Sequence, residues 1–149
     1  MNNTEHMAKK SYRSRVRLDI AASPERIWRA LTNPQDVKQY MMGAELETDW
    51  QVGSPVVWRG EYKGKQFEDR GTVLRYDKPE HLAYTHFSPS SGEEDKEEQH
   101  REIHIRLSKA GDKTRLILTQ DNNLSPDAKE ESEANWKVMM KGLRRLAEK

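Results

Sequence analysis

The sequence predicts an α+β domain in which a curved antiparallel sheet of about six or seven strands wraps on one long C-terminal helix. Three observations carry this expectation. Between Ala44 and Gln120, apolar residues recur with the period of two that marks half-buried strands. After Ser125 the period changes: Trp136, Met139, Met140, Leu143, Leu146 and Ala147 fall three and four apart and share one helical face. Near the start, one strand pattern is followed by two short helical patterns with a break between them. A sheet with one apolar face needs a layer laid across it, and the last helix is the segment that can supply it.

The first strand is read from Tyr12, Ser14, Val16, Leu18 and Ile20, which alternate with Arg13, Arg15, Arg17 and Asp19. Ser23-Pro24-Glu25 then places a cap, a proline and an acid where a helix starts. Ile27, Trp28 and Leu31 form the buried stripe of that helix. Asn33-Pro34 ends it and opens a second, with Val37, Tyr40 and Met41 inward and Gly43 as the stop. Leu46 to Trp50 reads as a short strand, and Gln51 to Pro55 as a turn. Val56, Trp58, Gly60 and Tyr62 share one face of the next strand. Phe67 to Asp77 is longer, and its Gly71 marks a bulge or the close approach of another backbone.

Leu82, Tyr84 and His86 share a face of the strand Leu82 to Phe87, and Ser88 to Glu98 is a charged loop. Glu102 to Leu107 and Thr114 to Gln120 pair as a hairpin across Ala110 to Lys113. Asp121 to Leu124 links to the last helix, where Ser125, Pro126 and Asp127 repeat the start signals. At about 22 residues that helix reaches roughly 33 Å, enough to cross the sheet. A twisted sheet curling around it leaves a cleft between the two.

Only 25 of the 149 residues are Leu, Ile, Val or Phe, so the core leans on four Trp, five Tyr and six Met. The 26 basic and 25 acidic residues nearly cancel, which argues for a folded chain and gives no global reason to expect nucleic acid or an anionic membrane as partner. The absence of cysteine excludes disulfides and cysteine-based zinc sites. Met1 to Lys10 lacks periodicity and is expected to be a tail, with a single domain over residues 11–149. No apolar run precedes Ser11 and none approaches the roughly 20 residues of a spanning helix. A cytoplasmic monomer is the expectation.

Three motifs carry a family resemblance. The first is Ser23-Pro-Glu-Arg-Ile-Trp-Arg-Ala-Leu-Thr-Asn-Pro34. The second joins Asp49-Trp50-Gln-Val-Gly53 to Gly71-Thr-Val73 and Pro79-Glu-His-Leu-Ala-Tyr84. The third is Thr114-Arg-Leu-Ile-Leu-Thr119 with Asn135-Trp136 and Met140-Lys-Gly-Leu143. With the element order, they resemble the helix-grip proteins of the START and Bet v 1 type (the SRPBCC superfamily). They look most like the branch named for the activator of Hsp90 ATPase homologue 1. Tyr40 and Asn135 depart from that branch, which usually has Trp and Gly there. The resemblance implies a cavity for an apolar small molecule, or a surface acting on a partner such as an Hsp90-type chaperone.

Candidate chemistry is sparse. His100 and His104 look like a metal pair only if helical. In a strand they stand about 13 Å apart at roughly 3.3 Å per residue, too far for one ion. No serine sits in a nucleophile elbow, and the glycines form neither a P-loop nor a dinucleotide fingerprint. No catalytic residue, metal or cofactor is therefore expected.

His86 is either a core histidine satisfied by a neighbour or a polar contact for a ligand head group. An acid–base pair of His86 with Arg70 or Glu68 is the enzymatic alternative, since polyketide cyclases share the general fold. Met41, Met42, Met139 and Met140 converge on one end of the cleft, as adaptable pocket or as core. The leading expectation is a binder of an apolar or aromatic small molecule between Trp58, Tyr62, Tyr84 and His86 on the sheet and Trp136, Met140 and Met41 opposite. The two short helices serve as a movable lid in that reading.

Overall fold

The computed structural model describes residues 12–89 and 100–149. The N-terminal tail, and the charged loop from residue 90 onward, lie outside them. The order is β1 (Tyr12–Ile20), α1 (Pro24–Thr32), α2 (Pro34–Tyr40), β2 (Glu45–Glu47), β3 (Pro55–Tyr62), β4 (Lys65–Asp77), β5 (His81–His86), β6 (Arg101–Ala110), β7 (Lys113–Asn123) and α3 (Pro126–Ala147). The strands form one seven-stranded antiparallel sheet in the order β1-β7-β6-β5-β4-β3-β2. The chain thus starts at one edge, and α1 and α2 carry it to the other. From there it returns strand by strand.

The helix ends follow from local chemistry. The Ser23 hydroxyl accepts from Arg26 N at 3.1 Å and the Ser125 hydroxyl from Ala128 N at 3.0 Å, each with proline next in the chain. Asn33 ends α1 through its backbone N–H to Arg29 O and caps α2 through its side chain to Gln35 N. One residue therefore makes the corner. The buried Asp36 carboxylate then takes Arg26 at 3.1 Å and Arg29 at 3.8 Å, tying the two helices together.

The inner face of the sheet carries Val16, Ile20, Val56, Trp58, Val73, Leu82, Tyr84, Ile103, Ile105, Leu107, Leu116 and Leu118, all buried. Against it lie Ile27, Trp28 and Leu31 of α1 and the stripe Trp136, Met140, Leu143 and Ala147 of α3. Met139 and Leu146, expected on that stripe, only flank it. Two strand ends differ from expectation. β2 stops at Glu47 because Trp50 turns back at φ 59° and donates its indole N–H to Thr32 O at 2.9 Å. β7 runs on to Asn123, which pairs with Tyr12.

Gly71 is the point of close approach. A Cβ there would stand 1.7 Å from the Thr85 carbonyl oxygen and 2.5 Å from its carbon. The end of β5 lies against this glycine, held by Arg70 N to Phe87 O at 3.0 Å and Phe87 N to Arg70 O at 2.7 Å. Because the colliding atoms are backbone, no rotamer relieves them. Gly71→Ala is expected to cost at least about 1–3 kcal/mol, the usual range for overpacking, by prising β5 from β4. Urea unfolding checks it, and a loss under about 0.5 kcal/mol, the size of an ordinary surface change, would mean the two backbones are not in contact.

Candidate functional site

A cleft of about 400 Å³ opens between the sheet and the N-terminal half of α3. Its existence follows from how α3 lies. Met140, Leu143 and Ala147 in the C-terminal half go into the core, whereas Ala128 and Ser132 in the N-terminal half, and Met139 just beyond it, are only partly covered. The N-terminal half of the helix is held to β1 through Lys129 O and Glu133 and leaves the β3–β5 side of the sheet uncovered. Ala128, Glu131, Ser132, Asn135, Trp136 and Met139 make the helix wall. Opposite are Trp58 of β3, Phe67 and Asp69 of β4, and Tyr84 and His86 of β5. Met41, Met42 and Ala44, just after α2, close one end, and Arg101, Gln120 and Asn123 line the other.

The sheet wall is an aromatic surface. The Trp58 ring sits 5.3 Å from Tyr84 and 5.3 Å from His86, so it lies between them. Phe67 lies across Gly60 on the neighbouring strand, where a Cβ would come within 2.7 Å of the ring. Burial pushes the Tyr84 phenol above its ordinary value, so this wall presents a neutral hydroxyl. His86 Nε2 is 3.0 Å from Asp69 Oδ2, with side chains 31% and 21% exposed.

Polar groups at the far end are fixed by one chain of hydrogen bonds. Trp136 Nε1 donates to Gln120 Oε1 at 2.7 Å, and Gln120 Nε2 donates to Asn123 Oδ1 at 2.9 Å. Asn123 Nδ2 donates to Ser14 Oγ at 2.7 Å and to Tyr12 O at 2.8 Å. Ser14 Oγ in turn donates to Lys129 O at 3.4 Å. Helix and both edge-side strands are thereby joined under the cleft. On the helix wall the Ser132 hydroxyl is buried without a partner among the described residues.

Of the residues singled out from the sequence, Trp58, Tyr84, His86, Trp136 and Met41 all line this cleft. Met140 does not. It is 1% exposed and borders a separate void of about 20 Å³ with Leu31, Leu82 and Ile105, while its neighbour Met139 faces the cleft. Tyr62 ends β3, but its side chain lies outside what is described. Asp69 was missed. It lies between Glu68 and Arg70, the two partners considered for His86, and it is Asp69 that shares the inner face with Phe67 and Gly71.

His104 lies on the outer face of the sheet with His81 rather than with His100. His81 Nε2 is 2.8 Å from His104 Nδ1, and His104 Nε2 is 2.8 Å from Glu102 Oε2. Burial, then Arg106 and Arg75, hold the His81 imidazole below its ordinary value. Among the described residues no group of three His, Asp or Glu side chains could hold a metal ion. Among the described residues, no helix is long and apolar enough to cross a membrane.

A long helix gripped by a curved antiparallel sheet, with a cleft between them, defines the helix-grip class of START and Bet v 1 type. Residues 21–148 match the family described as activator of Hsp90 ATPase homolog 1-like protein, and the chain belongs to that family. The solved structure of ChR145 from Cytophaga hutchinsonii is 39% identical, with a TM-score of 0.80 over 91% of this chain and 92% of that one. Two more distant structures share the fold. The Aha1 dimer from Colwellia psychrerythraea is 21% identical, with a TM-score of 0.74 over 92% and 96% of the two chains. CalU16 from Micromonospora echinospora is 20% identical, with a TM-score of 0.66 over 90% and 82%. No curated protein matches the chain.

Proposed function

We propose that the protein binds an apolar, aromatic small molecule in the cleft between the sheet and α3. The observation that carries this is the cleft itself: about 400 Å³, walled by Trp58, Phe67, Tyr84, Trp136 and three methionines. That volume lies within the range of about 300–1,000 Å³ common to small-molecule sites, and so does the chemistry, mostly apolar with a few placed polar groups. Met41, Met42 and Met139 suit a ligand of planar shape, because thioethers adapt and contact ring faces favourably. The end of the cleft at Met41, Met42 and Ala44 is made by the segment after α2, not by the helix pair as a whole. α1 is part of the core, and the Tyr40 hydroxyl holds α2 to it by donating to Ala30 O at 2.7 Å.

The family's name also raises a protein–protein module acting on an Hsp90-type chaperone. That reading calls for a continuous exposed apolar patch. The exposed large apolar side chains among the described residues are Met42, Val52, Leu74, Leu124 and Val138, each from a different part of the chain.

Naphthalene titrated into the isotopically labelled protein is expected to shift the methyl resonances of Met41, Met42 and Met139 and the indole resonance of Trp136. Met139→Trp fills the cleft from the helix side and is expected to weaken binding at least about tenfold, a change of about 1.4 kcal/mol. Met140→Trp is the wrong variant, since it overpacks the core instead. Shifts confined to the outer face of the sheet, or none at millimolar naphthalene, would remove the cleft reading.

A further inference from the structure

The polar edge of the sheet wall has a defined hydrogen-bonding sense. A carboxylate only accepts, so the contact between Asp69 Oδ2 and His86 Nε2, at 3.0 Å, requires the proton on Nε2. In the neutral ring the lone pair is then on Nδ1. His86 lines the cleft, and its Nδ1 makes no hydrogen bond among the described residues. Nor is it one of the fully buried unpartnered atoms, which are Trp28 Nε1 and Ser132 Oγ. The His86 ring has fixed neighbours. Trp58 meets it edge-on at 5.3 Å, and the β5 backbone behind it is set by the close approach at Gly71.

The geometry points to the Asp69–His86 pair as a ligand anchor that accepts a hydrogen bond, so the cleft selects aromatic molecules carrying a hydroxyl group over the same rings with an ether or no substituent. This rests on the cleft being a binding site. His86 is the group that touches the ligand, and Asp69 is a positioning residue that, in the neutral ring, holds the proton on Nε2 and leaves the lone pair on Nδ1. An ether oxygen finds no donor on this ring, and a bare ring leaves Nδ1 to lose its water for nothing in return. A carboxylate in place of the hydroxyl would bring a second negative charge towards Asp69. The class implied is therefore the phenols and hydroxylated fused-ring aromatics.

The test compares naphthalene, 2-naphthol and 2-methoxynaphthalene with the full chain at one pH, about 8. 2-Naphthol is expected to bind roughly 5- to 10-fold tighter than the methyl ether, the worth of one hydrogen bond. His86→Phe keeps a ring beside Trp58 and should bring that ratio to about one. Asp69→Asn can donate its amide to Nε2, which moves the ring proton to Nδ1 and should likewise abolish the preference.

The tautomer is read without any ligand from the ring nitrogen shifts of His86. Protonated Nε2 and pyridine-type Nδ1 are expected in the native protein and the reverse in Asp69→Asn. A native spectrum with the proton on Nδ1 would overturn the proposal, as would an unchanged ratio in His86→Phe. If naphthalene binds and 2-naphthol gains nothing, only the anchor falls. If neither binds, the cleft reading falls with it.

Discussion

A chain ending at Leu124, without α3, is expected to show no cooperative unfolding transition. The sheet has one apolar face, and α3 is a large part of what covers it. Trp136, Met140, Leu143 and Ala147 of the helix are buried against strands and against α1 and α2. Removing them returns to water the inner sides of β1 and β7, where Val16, Leu116 and Leu118 are buried. Each fully buried side chain of this kind is worth about 1.5–3 kcal/mol, and a domain of this size has only about 5–15 kcal/mol to lose. The helix also satisfies β1 directly, since Glu133 accepts from Arg15 N at 2.9 Å and Glu148 from Ala21 N at 2.8 Å. Circular dichroism with urea or heat checks the outcome. A sigmoidal transition with native-like tertiary signals in the shortened chain would mean the sheet and α1–α2 hold themselves together.

Much of this architecture was legible because its causes are local. A period of two, a period near 3.6 and three Ser- or Asn-Pro helix starts are properties of neighbouring residues, and the structure follows them within a few positions. Gly71 was legible for a related reason: a glycine in the middle of a strand pattern needs an explanation, and close backbone approach was one of two offered. What could not be read depended on contacts distant in sequence. Whether Met139 or Met140 faces the cleft turns on the rotation of α3. Two remote contacts set that rotation. One is the approach of Tyr40 to Gly142, where a Cβ would meet Tyr40 Cβ at 3.0 Å, and the other is the bond from Trp136 to Gln120. Adjacent positions on a helix differ by about 100°, so a stripe drawn from sequence takes in both.

Asp69 escapes apolar periodicity because its own side chain is charged. Phe67, Gly71 and Val73 gave the inner face of β4, and the same alternation placed Asp69 on it. An acid on an inward position, one strand from an inward histidine, was the available signal. The early stop of β2 left no such trace, because Trp50 leaves the strand to stack 6.0 Å from Tyr76, a partner fixed only by the tertiary fold.

Trp136→Ala is expected to destabilise the protein by about 3–5 kcal/mol, the range for deleting a buried aromatic side chain. The indole is 9% exposed, so nearly all of its area is lost to the core on folding. Two costs add. The first is the cavity, at the point where α3 leaves the β3–β5 side of the sheet uncovered and little can move in to fill it. The second is polar: without Nε1, Gln120 Oε1 loses its partner in the chain that runs through Asn123 to Ser14. An acceptor left unpaired in a part-buried place costs about 1–3 kcal/mol, although water entering through the cleft can take up some of it. Trp136→Phe separates the two, keeping most of the ring and losing only the donor, so its cost should stay near the polar part alone. Because the ring also forms the cleft wall, the alanine variant should enlarge the cleft and alter naphthalene affinity, whereas Trp28→Ala, in the core of α1, should lower stability and leave affinity alone. Denaturant unfolding of the three variants beside the titration reads both effects. A loss under about 1 kcal/mol for Trp136→Ala would place the ring outside the core and end the description of α3 as the layer that closes the sheet.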